Sequence, residues 1–109
     1  MTPLSDLQEE VTPARARELH EADQVQLVDV REQEEWDAGR ISGARHIPLG
    51  YLGDRLAEIP RTKPIVVQCA AGARSSIGAS LLRAQGVENV INLAGGIGDW
   101  YRAKYPVAK

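Results

Sequence analysis

Apolar residues fall along this chain in short dense blocks separated by amphipathic stretches. Gln24-Val25-Gln26-Leu27-Val28-Asp29-Val30 is the first strong strand, and Pro64-Ile65-Val66-Val67-Gln68 reads as a second, buried one. The first is too densely apolar for a strand with one wet face, so cover on both faces is expected, as in a parallel sheet. Shorter extended pieces are read at 10–12, at 45–48 and within 87–93. Helices fill the intervals. Thr12 has N-cap chemistry and Pro13 suits a first helical position, so a helix is expected over 14–21. Residues 31–38 have an acidic first turn and end at Gly39. Further helices are expected over 51–59, stopped by Pro60, over 76–84, closed by Gly86, and over 97–104, with Trp100 on one face. Ala94-Gly95-Gly96 is a turn that lets the last helix pack closely, and residues 1–8 are expected to be a loosely held tail.

Strands alternating with helices along the chain argue for a three-layer α/β architecture with a mainly parallel sheet. Its 109 residues fit one domain, expected over 1–109. Ligands of such sheets bind beyond the carboxyl ends of the strands. Asp29 and Cys69 both stand at strand ends and are expected to face one mouth.

Composition acts mainly by exclusion. A net charge of −2 offers no basis for binding nucleic acid or an anionic membrane. No apolar run is long enough to span a bilayer, and the acidic stretch Met1–Glu10 has no signal core, so a cytoplasmic location is expected. The single cysteine rules out a disulfide within the chain and any cysteine-based zinc site. His20 and His46 are far apart with no ligand spacing, so no metal is expected.

That cysteine is the centre of the chemistry. Cys69-Ala70-Ala71-Gly72-Ala73-Arg74-Ser75 lies between a strand and a helix, where backbone N–H groups converge and carry partial positive charge. Such a field favours thiolate, the nucleophilic form. Three alanines and a glycine let the loop curl closely, and Gly72 can take the positive φ that such a curl requires. Arg74 is open between contact with a substrate anion or the sulfur cradle, a plain surface position, and a structural ion pair with Asp29 or Glu35. Ser75 and Ser76 are helix caps that also orient the first amides. Asp29 is expected to support the loop, by accepting from its amides or by pairing with an arginine. Trp36 and Trp100 are read as packing residues, Glu32, Glu34 and Glu35 as a solvated helix face, and His46 as a satisfied loop histidine.

The strand, then C-x-x-G-x-R-S, then helix resembles the active-site loop of the rhodanese family. Leu27-Val28-Asp29-Val30-Arg31-Glu32 is similar to its D-V-R-E signature. Glu35 with Gly39–Pro48 is similar to its E…G-H-I-P-G-A-x-N-I-P segment, and Leu93-Ala94-Gly95-Gly96 with Trp100 to its L-x-G-G…W ending. Arg40, Ser42 and His46 depart from that pattern at framing positions. Ala70 and Ala71 stand where many thiosulfate-using members carry polar side chains, which leaves Arg74 as the loop's cation. The resemblance runs from about Val11 to Trp100. It implies a five-stranded sheet flanked by helices and a sulfurtransferase carrying a persulfide on Cys69. Residues 70–75 would cradle the sulfur, with Asp29 and Arg31 in support. The donor would be a small sulfur-containing anion such as thiosulfate, or a persulfide. The acceptor would be cyanide in the test tube, and a thiol or carrier protein in the cell. No metal or organic cofactor is required.

Two other readings stand beside it. One is a non-catalytic binding module or a partner-dependent sulfur relay. The other is a phosphatase or arsenate reductase of related fold. Those enzymes place five residues between cysteine and arginine; here there are four, which makes a smaller cradle.

Overall fold

The computed structural model describes residues 10–109. The tail expected over residues 1–8 lies outside the described residues. Five strands form one sheet: β1 (Glu10–Val11), β2 (Gln26–Asp29), β3 (Arg45–His46), β4 (Ile65–Gln68) and β5 (Val90–Leu93). Their order is β1-β5-β4-β2-β3, and every neighbouring pair is parallel. β4 is central, and all four of its residues are buried. That placement explains its unbroken apolar run, because helices cover both faces of a parallel sheet.

Alternation along β2 and β4 divides the core. Val28, Val30, Val67 and Cys69 pack on one face with Leu52, Ala79 and Leu82. Leu27, Val66, Ile91 and Leu93 pack on the other with Ala16, Leu19, Ile97 and Trp100. The first face is covered by α3 (Ala73–Ala84), the second by α1 (Pro13–Glu21) and α4 (Gly96–Arg102). α2 (Gln33–Ala38) buries no residue fully and bridges β2 to β3 along the rim. The three-layer α/β architecture is thus present.

Thr12 caps α1 as expected, its Oγ1 accepting from Arg15 N at 3.2 Å, with Pro13 in the first turn. The expected helix over 51–59 is instead two 3-10 turns, Leu49–Tyr51 and Leu56–Glu58. Leu49, Leu52, Leu56 and Ile59 keep helical spacing and all pack on the Cys69 face. Gly50 and Gly53 lower the helix propensity between them, and the segment meets its packing demands with separate tight turns. α3 starts at Ala73, three residues before the expected start at Ser76, because Gly72 already turns the chain at φ +110°. Ala73, Arg74 and Ser75 therefore form the first turn of a helix rather than a loop.

Candidate active site

Cys69 immediately follows the central strand, and Gly72 caps the helix after it. A Cβ on Gly72 would meet nothing nearer than Gly95 N at 3.8 Å, so its positive φ, not lack of space, requires glycine. The turn brings two amides onto one atom. Gly72 N–H donates to Cys69 Sγ at 3.1 Å and Ser75 N–H at 3.3 Å. The thiol donates to Ser75 Oγ at 3.4 Å. Burial pushes the thiol pKa up, but the Ser75 hydroxyl and the amides of Ser75, Gly72 and Ala71 outweigh it. The net result is a thiol more acidic than ordinary cysteine. The sulfur lies at the bottom of this cradle, 1% exposed, while Ala71 and Ala73 are exposed above it.

The last helix completes the loop from the other face. Ile97 N–H donates to Cys69 O at 2.8 Å and Gly98 N–H to Ala70 O at 3.0 Å. A Cβ on Gly96 would lie 2.4 Å from Cys69 O, so the approach is possible only without a side chain. The close packing expected of Gly95-Gly96 is therefore seen.

Of the partners open to it, Arg74 pairs with Glu35. It grips Glu35 with both terminal nitrogens, Nη1 to Oε1 at 2.6 Å and Nη2 to Oε2 at 2.8 Å. Glu35 Oε1 also accepts from Glu32 N–H at 3.0 Å at the start of α2. The Arg74 hydrogen bonds hold the Glu35 carboxyl down at about 2 against partial burial, and Glu35 raises Arg74 in return. Glu35 thus departs from the expected solvated face, whereas Glu32 and Glu34 are exposed. The guanidinium still feels the charge of Cys69, so it adds positive potential near the sulfur without touching it.

Asp29 takes the second of its two expected roles, pairing with an arginine. Its fully buried carboxylate accepts from Arg31 N at 3.0 Å, Nε at 3.0 Å and Nη2 at 2.8 Å, not from the amides of 70–75. It is level with Gln68 in the sheet and alternates to the face opposite Cys69. Two strand ends share a mouth, but a period of two sends these side chains apart. Arg31 Nη2 also donates to Gly39 O at 2.8 Å, pinning the two ends of the α2 segment. Support from Asp29 and Arg31 is therefore indirect: they fix α2, and α2 presents Glu35 to Arg74. His46 is satisfied, with Nε2 2.8 Å from Arg31 O and its ring stacked on Trp36; Trp100 is buried.

One site residue has no counterpart in the sequence reading. Asn92 of β5, 6% exposed, accepts a hydrogen bond from the Ser75 hydroxyl and donates to Ser76 Oγ at 3.3 Å. A polar residue within the buried run Val90-Ile91-Asn92-Leu93, beside the cysteine-bearing strand, was the available signal.

A buried, acidified thiol at the end of a central parallel strand, ringed by amides, defines a class of thiol-centred α/β domain. The Rhodanese-like domain model matches residues 12–103, and the chain belongs to that family. It is 36% identical over 103 residues to the thiosulfate sulfurtransferase GlpE of Pseudomonas aeruginosa, covering 94% of this chain and 92% of that one. It is 44% identical over 75 residues to the uncharacterised protein YqhL of Bacillus subtilis, covering 69% of this chain and 60% of that one. A rhodanese-related protein from Thermoplasma volcanium superposes with a TM-score of 0.85 at 30% identity, covering 93% of this chain and 98% of that one. Among the described residues, no helix is long and apolar enough to cross a membrane.

Proposed function

We propose that this protein is a sulfurtransferase that carries sulfane sulfur as a persulfide on Cys69, within the cradle of residues 70–75. The observation that carries the reading is the convergence of the Gly72 and Ser75 N–H groups on one sulfur, at 3.1 and 3.3 Å. These groups favour an anionic sulfur, and the thiolate is the nucleophile. The Cys69 thiolate attacks the outer sulfur of thiosulfate, the S–S bond breaks, and sulfite leaves with the bonding pair. The terminal persulfide sulfur then passes to a nucleophilic acceptor: cyanide gives thiocyanate, a thiol gives a new persulfide. Either transfer returns the Cys69 thiolate. No metal or organic cofactor takes part, and the two half-reactions should show ping-pong kinetics.

The phosphatase reading has less support. An arginine serving a tetrahedral anion would face the nucleophile, whereas both terminal nitrogens of Arg74 are on Glu35. Incubation with thiosulfate followed by intact-mass measurement should show one added sulfur that cyanide removes. Absence of an adduct with thiosulfate and with inorganic polysulfide would overturn the sulfur-carrier reading. Hydrolysis of para-nitrophenyl phosphate, assayed alongside, should be absent.

A further inference from the structure

The Ser75 hydroxyl owns one proton and has three neighbours that compete for it. Among the described residues these are Gly72 O at 3.2 Å, Asn92 Oδ1 and Cys69 Sγ. With Cys69 a thiol, one chain of hydrogen bonds is satisfied. Sγ–H donates to Ser75 Oγ, and Ser75 O–H donates to Asn92 Oδ1. Ionisation removes the thiol proton to solvent and reverses the demand, since the thiolate now needs donors. The Ser75 proton can turn to sulfur, but Asn92 Oδ1 would then face the hydroxyl oxygen as acceptor against acceptor.

Asn92 can answer that demand because a carboxamide has both kinds of atom. A half-turn of its amide sets Nδ2–H against Ser75 Oγ and Oδ1 against the Ser76 hydroxyl, 3.3 Å from Nδ2 in the present orientation. Ser76 can donate or accept, so both orientations are satisfied at that end. Asn92 comes from β5, whose register sets it beside Val67, two residues before the cysteine. From this arrangement we infer that Asn92 is a positioning residue that serves both charge states of Cys69 by rotating its amide, so that the Ser75 hydroxyl donates to the sulfur when it is anionic. The chain then reads Asn92 Nδ2–H to Ser75 Oγ, and Ser75 O–H to sulfur. The same donor serves the thiolate and the inner sulfur of a persulfide. The inference rests on Cys69 being the sulfur carrier.

The test is the pH dependence of Cys69 alkylation by iodoacetamide, which reads the sulfur whether or not it transfers anything. Asn92→Asp is isosteric but accepts only, so it keeps the Ser75 proton from the sulfur. The alkylation midpoint should rise by about one pH unit or more. In a Ser75→Ala background only the through-space effect of the new charge remains, and less than half of that rise should survive. Arg74, Glu35 and Glu32, the charged side chains around the first turn of α3, are unchanged throughout. A rise of equal size in both backgrounds, or none in either, would overturn the inference. If Asn92→Asp does not fold, as judged by thermal melting, Asn92→Ala replaces it. Its midpoint must then differ from wild type with Ser75 present and coincide with the single Ser75→Ala variant without it; any other pattern overturns the inference. Failure of sulfur loading with an intact titration pattern would count against the carrier reading alone.

Discussion

Glu35 and Arg74 face each other across the seam between α2 and α3 and form a two-pronged ion pair at 2.6 and 2.8 Å. Arg74 is the residue before Ser75, so the first turn of α3 is tethered to the segment after β2. Each side chain is about one-third exposed, at 34%. The pair therefore contributes modestly to stability and more to fixing position.

Glu35→Gln should lower stability at neutral pH by about 1 kcal/mol, a shift of a few degrees in melting temperature. The folded carboxyl is held at about 2, below its ordinary 4.5, by Arg74. A depressed acid stabilises the fold fully above the ordinary value and loses that contribution as pH falls through the depressed one. The gap between wild type and variant should thus be constant above pH 4.5 and close toward pH 2. The variant also leaves Arg74 without its counter-charge, so the alkylation midpoint of Cys69 should fall.

Asp29→Asn tests the buried pair that anchors α2. Arg31 is 4% exposed and would keep its charge with a neutral partner. Leaving such a charge uncompensated costs about 3–5 kcal/mol. Thermal or urea unfolding should show that loss. Because Asp29 touches no atom of the cradle, the fraction that stays folded should load sulfur normally.

Gly72→Ala and Gly86→Ala form a matched pair. Both positions have positive φ, +110° and +86°, and neither has a neighbour nearer than 3.8 Å to an added Cβ. Each substitution should cost about 1–2 kcal/mol in backbone strain. Gly72 also supplies an amide to Sγ, whereas Gly86 closes the far end of α3. Sulfur loading should fall up to roughly tenfold in Gly72→Ala: alanine keeps the N–H, but relaxing the strained φ swings it away from Sγ and weakens one charge-assisted hydrogen bond. It should stay at the wild-type level in Gly86→Ala.

Much of this arrangement was legible along the chain. The apolar blocks at 24–30 and 64–68 locate β2 and β4, and a cysteine followed by small residues before a helix locates the cradle. Three features were not, each for a physical reason. Spacing at 49, 52, 56 and 59 marks positions that must pack, but it cannot say whether one helix or two tight turns present them. The choice of Glu35 over Asp29 as the partner of Arg74 was open, because a surface acid and an acid aimed at a distant arginine read alike in one dimension. Asn92 is 23 residues from Cys69 in sequence and reaches it only through the β4–β5 pairing.

Cys69 itself gives the last prediction. Its thiol is more acidic than an ordinary cysteine because the hydrogen bonds to sulfur outweigh burial. Iodoacetamide alkylation should therefore reach half its maximal rate at a lower pH than for the same cysteine in the unfolded chain. The same shift has a stability consequence. An acid whose pKa is depressed on folding contributes stability above its unfolded value and loses it as pH falls through the folded one. The melting temperature of the wild type should rise relative to Cys69→Ser as pH is taken from neutral toward 9, with denaturation kept free of oxidant. Cys69→Ser fits the space, since a hydroxyl can take the same partners, so the fold should survive at neutral pH. Its oxygen cannot hold sulfane sulfur, and both the thiosulfate adduct and thiocyanate formation should vanish. Thiocyanate turnover persisting in that variant would mean that the sulfur is carried somewhere other than the cradle.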